Sequence, residues 1–320
     1  MLELLNALPS AIAQGLIWGI MAIGLYITYK VLDFADLTVD GSITTGACVC
    51  AVLITNGVNV WVCLLVAFLA GALAGLITGV FHTLMGIPPI LSGILTQLML
   101  WSINLKIMSS RANVAVSGRT LPVLITSLDV PIAIVIVLAF TAAIIALLYF
   151  FFGTEMGCAL RATGSNEKMA NAQGINVKWN KILGLMLANG LVALSGALLA
   201  QYQGFADINM GRGAIVIGLA AIIIGQTIIS LFTQNFAFKL FGCALGGVCY
   251  YLVYQFVIWL GLDTDLLKLL SAIVVAVFLA IPYLKKQYFS RPKKSKATVG
   301  NEPPEAPPQE DAAEGGQINA

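Results

Sequence analysis

Three long stretches of this chain contain no Asp, Glu, Lys or Arg, and they are Val60–Phe81, Ile132–Phe152 and Leu240–Leu260. A helix needs about 20 mostly apolar residues to cross the hydrocarbon core of a bilayer, and each stretch meets that length. Charged residues make up 10% of the whole chain and hydrophobic ones 59%, whereas a soluble domain carries about 25% charged residues. The sequence therefore predicts an all-α integral membrane protein.

The same criterion predicts nine membrane-spanning segments. They are Ala11–Tyr29, Gly41–Thr55, Val60–Phe81, Pro89–Leu105, Ile132–Phe152, Ile182–Ala200, Gly213–Phe232, Leu240–Leu260 and Leu266–Leu284. The second segment is short and follows three aspartates, so we expect it to begin as a broken or re-entrant segment. Residues 1–284 form the predicted transmembrane domain. Residues 285–320 are first basic and then rich in proline and acidic residues, which predicts a disordered tail.

The distribution of basic residues predicts the orientation of the bundle, because Lys and Arg are enriched in cytoplasmic loops. With nine spans and a cytoplasmic C-terminus, twelve of the 17 basic residues fall inside and five outside. The N-terminus is then external. A tenth span would invert one end and weaken this asymmetry.

Several functions are excluded by what the sequence lacks. A net charge of +2 is too small to indicate nucleic-acid binding. The single histidine, His82, excludes zinc signatures built on two histidines, and no metal site is expected. No phosphate-binding loop of the G-x-x-x-x-G-K-[ST] type and no catalytic constellation is present, so any ATP must be bound by another chain.

Two patterns suggest how the spans pack. Gly71, Gly75 and Gly79 form a stripe of small residues on one helix face, which favours close packing inside the subunit or, alternatively, a dimer seam. The segment Phe34–Leu37 reads FADL and is echoed by FADI at Phe205–Ile208, each just before a glycine-rich span. Five spans separate the copies, as an inverted repeat requires, although four residues can also match by coincidence.

The longest predicted cytoplasmic loop spans residues 153–181 and is much more polar than its surroundings. It contains two helix-like pieces, Met156–Ala162 and Asn166–Gln173. Ser165 or Asn166 can cap the second piece, and Gly174 can end it. Such a loop is suited to docking in the groove of a partner, or it is an ordinary surface loop.

This loop carries the pattern G-x-x-x-R-A-x-G-x-N-x-x-x-A-x-x-x-G-I, and an earlier stretch reads VLDFADLTVDGS. Both resemble the permease subunits of bacterial ABC importers for branched-chain amino acids and ribose. The second stretch is most similar to the tryptophan/tyrosine branch of that family. The resemblance extends from about Ile17 to Tyr283, with the motifs in the expected order.

The resemblance implies a multi-pass permease subunit in the bacterial cytoplasmic (inner) membrane that translocates a small solute, with an amino acid, including an aromatic one, as the expected substrate. It also implies an importer with two permease subunits, two ATP-binding subunits that hold ATP and Mg²⁺, and an external substrate-binding protein. Since 320 residues hold one permease unit, a homodimer is expected, with a heterodimer of related permeases as the alternative.

On this interpretation, the loop is the element that couples the permease to the ATPase. Arg161 could hold a carboxylate or carbonyl groups through its planar guanidinium, and the glycines would allow sharp turns. Charged side chains of the loop would contact the partner or remain solvated. The proposed coupling residues are Glu155, Gly157, Arg161, Ala162, Gly164, Asn166, Glu167, Lys168, Ala170, Gly174 and Ile175.

The substrate path is expected to follow polar residues in otherwise apolar spans, some of which must instead bond neighbouring helices. The candidates are Asp40, Ser42, Thr44, Thr45, Ser92, Thr96, Gln97, Asn189 and Gln226. An ion-coupled secondary transporter is the competing function. It is disfavoured here because His82 and the aspartates are expected at the ends of spans, which leaves the span centres without the ionisable groups that such carriers use.

Overall fold

The computed structural model describes residues 2–116, 118, 121–229 and 235–259, together with six isolated positions between 269 and 280. The first half consists of α1 (Leu2–Tyr26, extended by a π-helical turn over Ile27–Val31), α2 (Val39–Thr55), α3 (Val60–Thr83), α4 (Pro89–Ile107), β1 (Asn113–Ala115) and α5 (Val130–Gly153). The second half consists of α6 (Glu155–Ser165), α7 (Glu167–Ala172), α8 (Val177–Gln203), β2 (Phe205–Asp207), α9 (Ala214–Ile229) and α10 (Phe236–Trp259).

The prediction of an all-α membrane protein is confirmed, and eight of the nine predicted spans each fall on a helix. Within the described ranges, six helices are long and apolar enough to cross a membrane, while α2 and α9 are shorter. The ninth predicted span, Leu266–Leu284, lies mostly outside the described residues, and the tail at 285–320 lies wholly outside them.

Local sequence chemistry explains where several helices begin and end. The side chains of Asn59 and Asn176 accept hydrogen bonds from the first turns of α3 and α8, which satisfies amides that have no partner inside the helix. Pro89 occupies the start of α4, where its missing N–H costs nothing. Helix α8 ends at Gly204, whose φ of 80° suits a residue without a Cβ atom.

Helix α8 is the central element, since it contacts α1, α2 and α3 and is buried along most of its length. The glycine stripe of α3 faces it. A Cβ atom at Gly71 or Gly75 would collide with the backbone of α8, and one at Gly79 would press on Ile182. The stripe therefore allows close packing of two helices within one chain.

Helices α2 and α9 both begin about halfway along the bundle rather than at its surface. Asp36, just before α2, bonds to Asn189, the thirteenth of the 27 residues of α8. The first turn of α9 lies beside the start of α2, because Asp40 accepts the amides of Gly213 and Ile215. The predicted break before the second span thus has a counterpart before α9.

From this shared starting level the two short helices run in opposite directions. Cys50, late in α2, contacts Gln201 near the end of α8 that leads into β2, which we call the sheet end of the bundle. Late in α9, Gly225 packs on Gly242 of α10. The start of α10 approaches α6 at the opposite end, which we call the loop end. The arrangement is that of two half-length helices pointing apart.

At the sheet end, β1 and β2 pair as a short antiparallel ribbon, with Val114 opposite Ala206. No strand was predicted, because three residues are too few to show an alternating pattern. The ribbon joins the connection that follows α4 to the connection that precedes α9. It also contains part of the FADI segment, and Asp207 accepts the amide of Asn209 just as Asp36 accepts that of Thr38.

Candidate translocation and coupling sites

A cavity of about 340 Å³ lies beside the starts of α2 and α9, on the side of the sheet end. Volumes of about 300–1,000 Å³ are usual for small-molecule pockets. Three elements form its walls: the first turns of α2, one face of α4 and the segment between β2 and α9. The lining residues are Asp40, Gly41, Thr44, Ile94, Gln97, Leu98, Trp101, Asn104, Ile208 and Arg212.

Asp40 connects the two short helices at this cavity. Its two carboxylate oxygens accept the backbone amides of Gly213 at 3.0 Å and Ile215 at 2.9 Å. The carboxylate therefore neutralises the positive end of the α9 dipole from outside that helix. Thr44, one turn later, accepts the amide of Gly211 at 3.1 Å.

A second polar network lies on the other side of α2, inside the bundle. The amide nitrogen of Asn189 donates to Asp36 at 2.7 Å, and the hydroxyl of Ser42 donates to the amide oxygen of Asn189 at 2.6 Å. All three side chains are buried. Their hydrogen bonds fix the chain before α2 to the middle of α8, so Ser42 and Asn189 serve here as links between helices.

These positions correct one expectation from the sequence. The aspartates were expected at span ends, but Asp36 and Asp40 lie about halfway along α8, because the chain turns back into the bundle before α2 begins. The expectation that the span centres lack ionisable groups was therefore wrong. Aspartates at this depth are compatible with an ion-coupled carrier.

The remaining predicted path residues are distributed over different environments. The hydroxyls of Thr45, Ser92 and Thr96 each donate to a carbonyl of their own helix, and Thr96 also accepts a hydrogen bond from Thr78 of α3. Gln97 lines the cavity. Gln226 bonds to Tyr26, away from the cavity. Asp40, Thr44 and Gln97 are thus the predicted residues that the structure brings together.

Three further polar or aromatic residues of the cavity were missed: Trp101, Asn104 and Arg212. Asn104 carried a usable signal, since it is a polar residue within the predicted fourth span. Arg212 was counted as a charge of an external loop, on the opposite side of the membrane from Asp40. That assignment assumed that every span crosses completely, which α2 and α9 do not.

The predicted coupling loop forms α6 and α7 at the loop end. Asn166 rather than Ser165 caps α7, because its side chain accepts the amide of Met169 at 3.0 Å. After α7 the chain turns at Gly174, which has a φ of 79°. Only glycine adopts this conformation without strain, so Gly174 sets the path from α7 into α8.

The other two glycines of the motif do not make turns, contrary to expectation. Gly157 and Gly164 lie inside α6, where a Cβ atom would collide with the backbone of Phe152 and of Val31, respectively. They are needed for close packing. Through Gly164, α6 rests directly on the end of α1.

Arg161 acts inside the chain. Its guanidinium donates to the carbonyl of Phe152 and lies 5.7 Å from the ring centre of Phe152 and 5.3 Å from that of Phe236. It thus ties α6 to α5 and α10. The Arg161 side chain is itself exposed, whereas three other residues of the motif pack inward: Ala170 is buried, and Ala162 and Ile175 are partly buried.

The charged residues of the loop differ in their surroundings. Glu155 and Lys168 are exposed, whereas Glu167 is bound to Lys181 of α8 at 2.6 Å. The ammonium group of Lys181 also lies 3.3 Å from His82 of α3. Lys181 therefore links α7 to both long helices beneath it.

The outer surface of α6 and α7 also presents two apolar side chains that the sequence analysis did not single out. Met156 is 50% exposed and Met169 is 63% exposed. Methionine is flexible and polarisable, which makes it common on surfaces that bind partner proteins. We call Met156, Met169, Glu155 and Lys168 the outer face of the loop.

Comparisons with known proteins agree over nearly the whole chain. Residues 8–281 match the family described as branched-chain amino acid transport system, permease component. A tyrosine transport system permease protein of Clostridioides difficile is 43% identical over 283 residues, which cover 86% of this chain and 91% of that protein. An uncharacterised protein of Rickettsia prowazekii is 36% identical over 285 residues, or 88% and 99% of the two chains. A fructose import permease protein of Bifidobacterium longum is 25% identical over 273 residues, or 82% and 74%. No solved structure matches the chain.

Proposed function

From the premise that this chain belongs to the family of permease components of branched-chain amino acid transport systems, we propose that it translocates an aromatic amino acid such as tyrosine. The chain is an ABC-type permease for a small solute, and ATP is used by a partner ATPase. The choice of an amino acid is supported by the tyrosine permease, the relative with 43% identity.

The observation that carries coupling to an ATPase is the construction of the loop end. Helices α6 and α7 are fixed to the bundle by Arg161, Gly164 and Lys181, and they turn an exposed apolar and charged face away from it. We propose that the ATPase docks on this face. Because α6 contacts α1 and α7 contacts α8, a displacement of the face would reach the two helices that border α9 and α2.

The assembly we propose has two copies of this chain, two ATPases and a binding protein at the sheet end. The N-terminus is then external, and the loop end is cytoplasmic. In intact cells, a cysteine at Ser165→Cys should be protected from an impermeant thiol reagent, and one at Ser117→Cys should be labelled, in a background without the six native cysteines.

Mass measurement of the complex in nanodiscs should find two copies of this chain, and one copy for two ATPases would contradict the homodimer.

The docking face is tested by Met169→Glu, with Met85→Glu as the matched control. Both methionines lie at the loop end and are similarly exposed, at 63% and 64%, but Met85 belongs to the connection between α3 and α4. A buried, unpaired charge is costly at an interface. In vesicles containing the full transporter, we expect Met169→Glu to reduce both tyrosine uptake and the ATP hydrolysis stimulated by the loaded binding protein at least tenfold.

Met85→Glu should leave both activities within about twofold of the parent protein. Equal losses in the two variants would contradict docking on the outer face of α6 and α7. Tyrosine uptake that continues without ATP and follows an ion gradient would contradict the importer itself. That outcome would support the ion-coupled carrier.

A further inference from the structure

The cavity between α2, α4 and the segment before α9 contains two opposite charges that are not paired with each other. Asp40 and Arg212 both line it, yet within the described part of the chain Arg212 has no ion-pair partner. The carboxylate of Asp40 uses two of its acceptor positions for the amides of α9. A carboxylate has about four such positions, so Asp40 can still accept from a ligand.

The third polar group of the cavity is the side-chain amide of Asn104, whose oxygen lacks a hydrogen-bond donor among the described residues. Asn104 is 1% exposed and lines the cavity, and its side-chain oxygen accepts no hydrogen bond from any described residue. Leaving a buried acceptor unpaired costs about 1–3 kcal/mol. A ligand with an N–H donor would remove that cost once the Asn104 side chain turned its oxygen to the cavity, so Asn104 points to what the cavity binds.

The rest of the wall is mainly apolar. Ile94 and Leu98 of α4 line the cavity with the indole of Trp101, and Ile208 lies across from them in the connection before α9. Trp101 is 45% exposed, so its ring is available to a ligand. Apolar walls with a few polar groups are typical of sites that bind a small molecule in one orientation.

We propose that this cavity binds a zwitterionic α-amino acid as it passes through the permease. Arg212 takes the carboxylate, Asp40 and the side-chain oxygen of Asn104 take the ammonium group, and the side chain of the ligand lies against Trp101. A cationic and an anionic group in one cavity match a zwitterion and disfavour an amine or an acid alone. The proposal rests on the proposed function for its substrate class and adds the site.

The test measures binding to the full chain in lipid nanodiscs without any partner protein. Saturation-transfer NMR with L-tyrosine reports binding even when it is weak, and empty nanodiscs correct for partition into lipid. We expect a signal for L-tyrosine that is at least tenfold stronger than for tyramine, which lacks the carboxylate, and for 3-(4-hydroxyphenyl)propionate, which lacks the amine. L-Leucine is measured in parallel as a second amino acid.

Two variants and one control identify the residues. Arg212→Gln and Asn104→Leu should each weaken L-tyrosine binding about tenfold or more, because each removes a hydrogen-bonding partner of a charged group. Arg111→Gln should have no effect, since Arg111 is an exposed arginine near the sheet end that does not line the cavity. Asn104→Leu also separates binding from structure, because it removes a buried side-chain oxygen that has no partner among the described residues, so the thermal midpoint should change little.

Unchanged binding of both amino acids in Arg212→Gln and Asn104→Leu would overturn the site. So would tyramine that binds as well as tyrosine, or a parent protein that binds neither amino acid. The proposed function fails separately, when uptake by the full transporter does not require ATP. The site survives that failure if the NMR signals still depend on Arg212 and Asn104.

Discussion

The two short helices α2 and α9 begin side by side, but they are held in place differently. The segment before α2 is tied to α8 by Asp36 and Asn189, and α2 is buried on most of its residues. The first turn of α9 is instead held through Asp40, a residue of α2. The start of α9 is therefore anchored on α2, whereas the start of α2 is anchored on α8. We expect α9 to be the member that can shift its first turn while the rest of the bundle stays folded.

The largest difference is expected between Gly46, in the middle of α2, and Gly218, in the first half of α9. In Gly46→Ala the new methyl group would collide with the backbone carbonyl of Ala193, which α8 cannot move aside. In Gly218→Ala it would meet only the ends of the Met21 and Leu25 side chains, at 2.9 and 2.8 Å. Overpacking against backbone should cost about 3 kcal/mol, at the upper end of the usual range.

We therefore expect Gly46→Ala to lose most of its monodisperse protein in detergent and Gly218→Ala to retain most of it. Thermal unfolding followed by size-exclusion chromatography measures both. Similar midpoints for the two variants would show that the first half of α9 is held as tightly as the middle of α2.

A smaller loss of stability is expected when the hydrogen bonds that anchor the start of α2 to α8 are removed. Asn189→Leu deletes the donor to Asp36 and the acceptor of Ser42, which leaves a buried carboxyl group with fewer partners. We expect a loss of about 2 kcal/mol in stability. Asn104→Leu is the matched control, because that side chain is equally buried but its oxygen has no partner among the described residues. If the control destabilises as much as Asn189→Leu, burial of an amide and not the anchor explains the result.

The smallest effect is expected at the link from α2 to α9. Asp40→Asn keeps the shape of the side chain but leaves one acceptor oxygen. That oxygen can accept a hydrogen bond from at most one of the two backbone amides. The loss should be about 1 kcal/mol and local to the first turn of α9. Amide hydrogen exchange should accelerate about fivefold at residues 213–216 and stay unchanged in α2.

Asp33→Asn controls for the loss of one negative charge nearby, since Asp33 is exposed and Asn tolerates its φ of 52°. Faster exchange that spreads through α2 in Asp40→Asn would reverse the proposed dependence between the two helices.

The sequence was sufficient for the features that follow from local chemistry. Charge-free apolar runs locate the long helices, an Asn before a polar helix caps it, and Gly174 ends α7 because few other residues tolerate a positive φ. The depth of Asp40 and Arg212 was not accessible in this way. Reading their depth from chain order placed them on opposite sides of the membrane, whereas both line one cavity. Where a helix begins inside a bundle is decided by tertiary contacts such as Asp36 with Asn189, which no local pattern records.

The contacts of Lys181 matter for the design of chimaeric transporters. It belongs to α8, yet it binds Glu167 of α7 and approaches His82, whose ring meets that of Phe34 edge-on at 5.1 Å. A graft of residues 153–176 from another permease, made to change the ATPase that is recruited, would replace Glu167 but leave Lys181 of this chain in place. Such a graft should carry position 181 with it, and position 82 as well where the donor differs there, so that the transplanted segment keeps its connection to the chain just before Asp36.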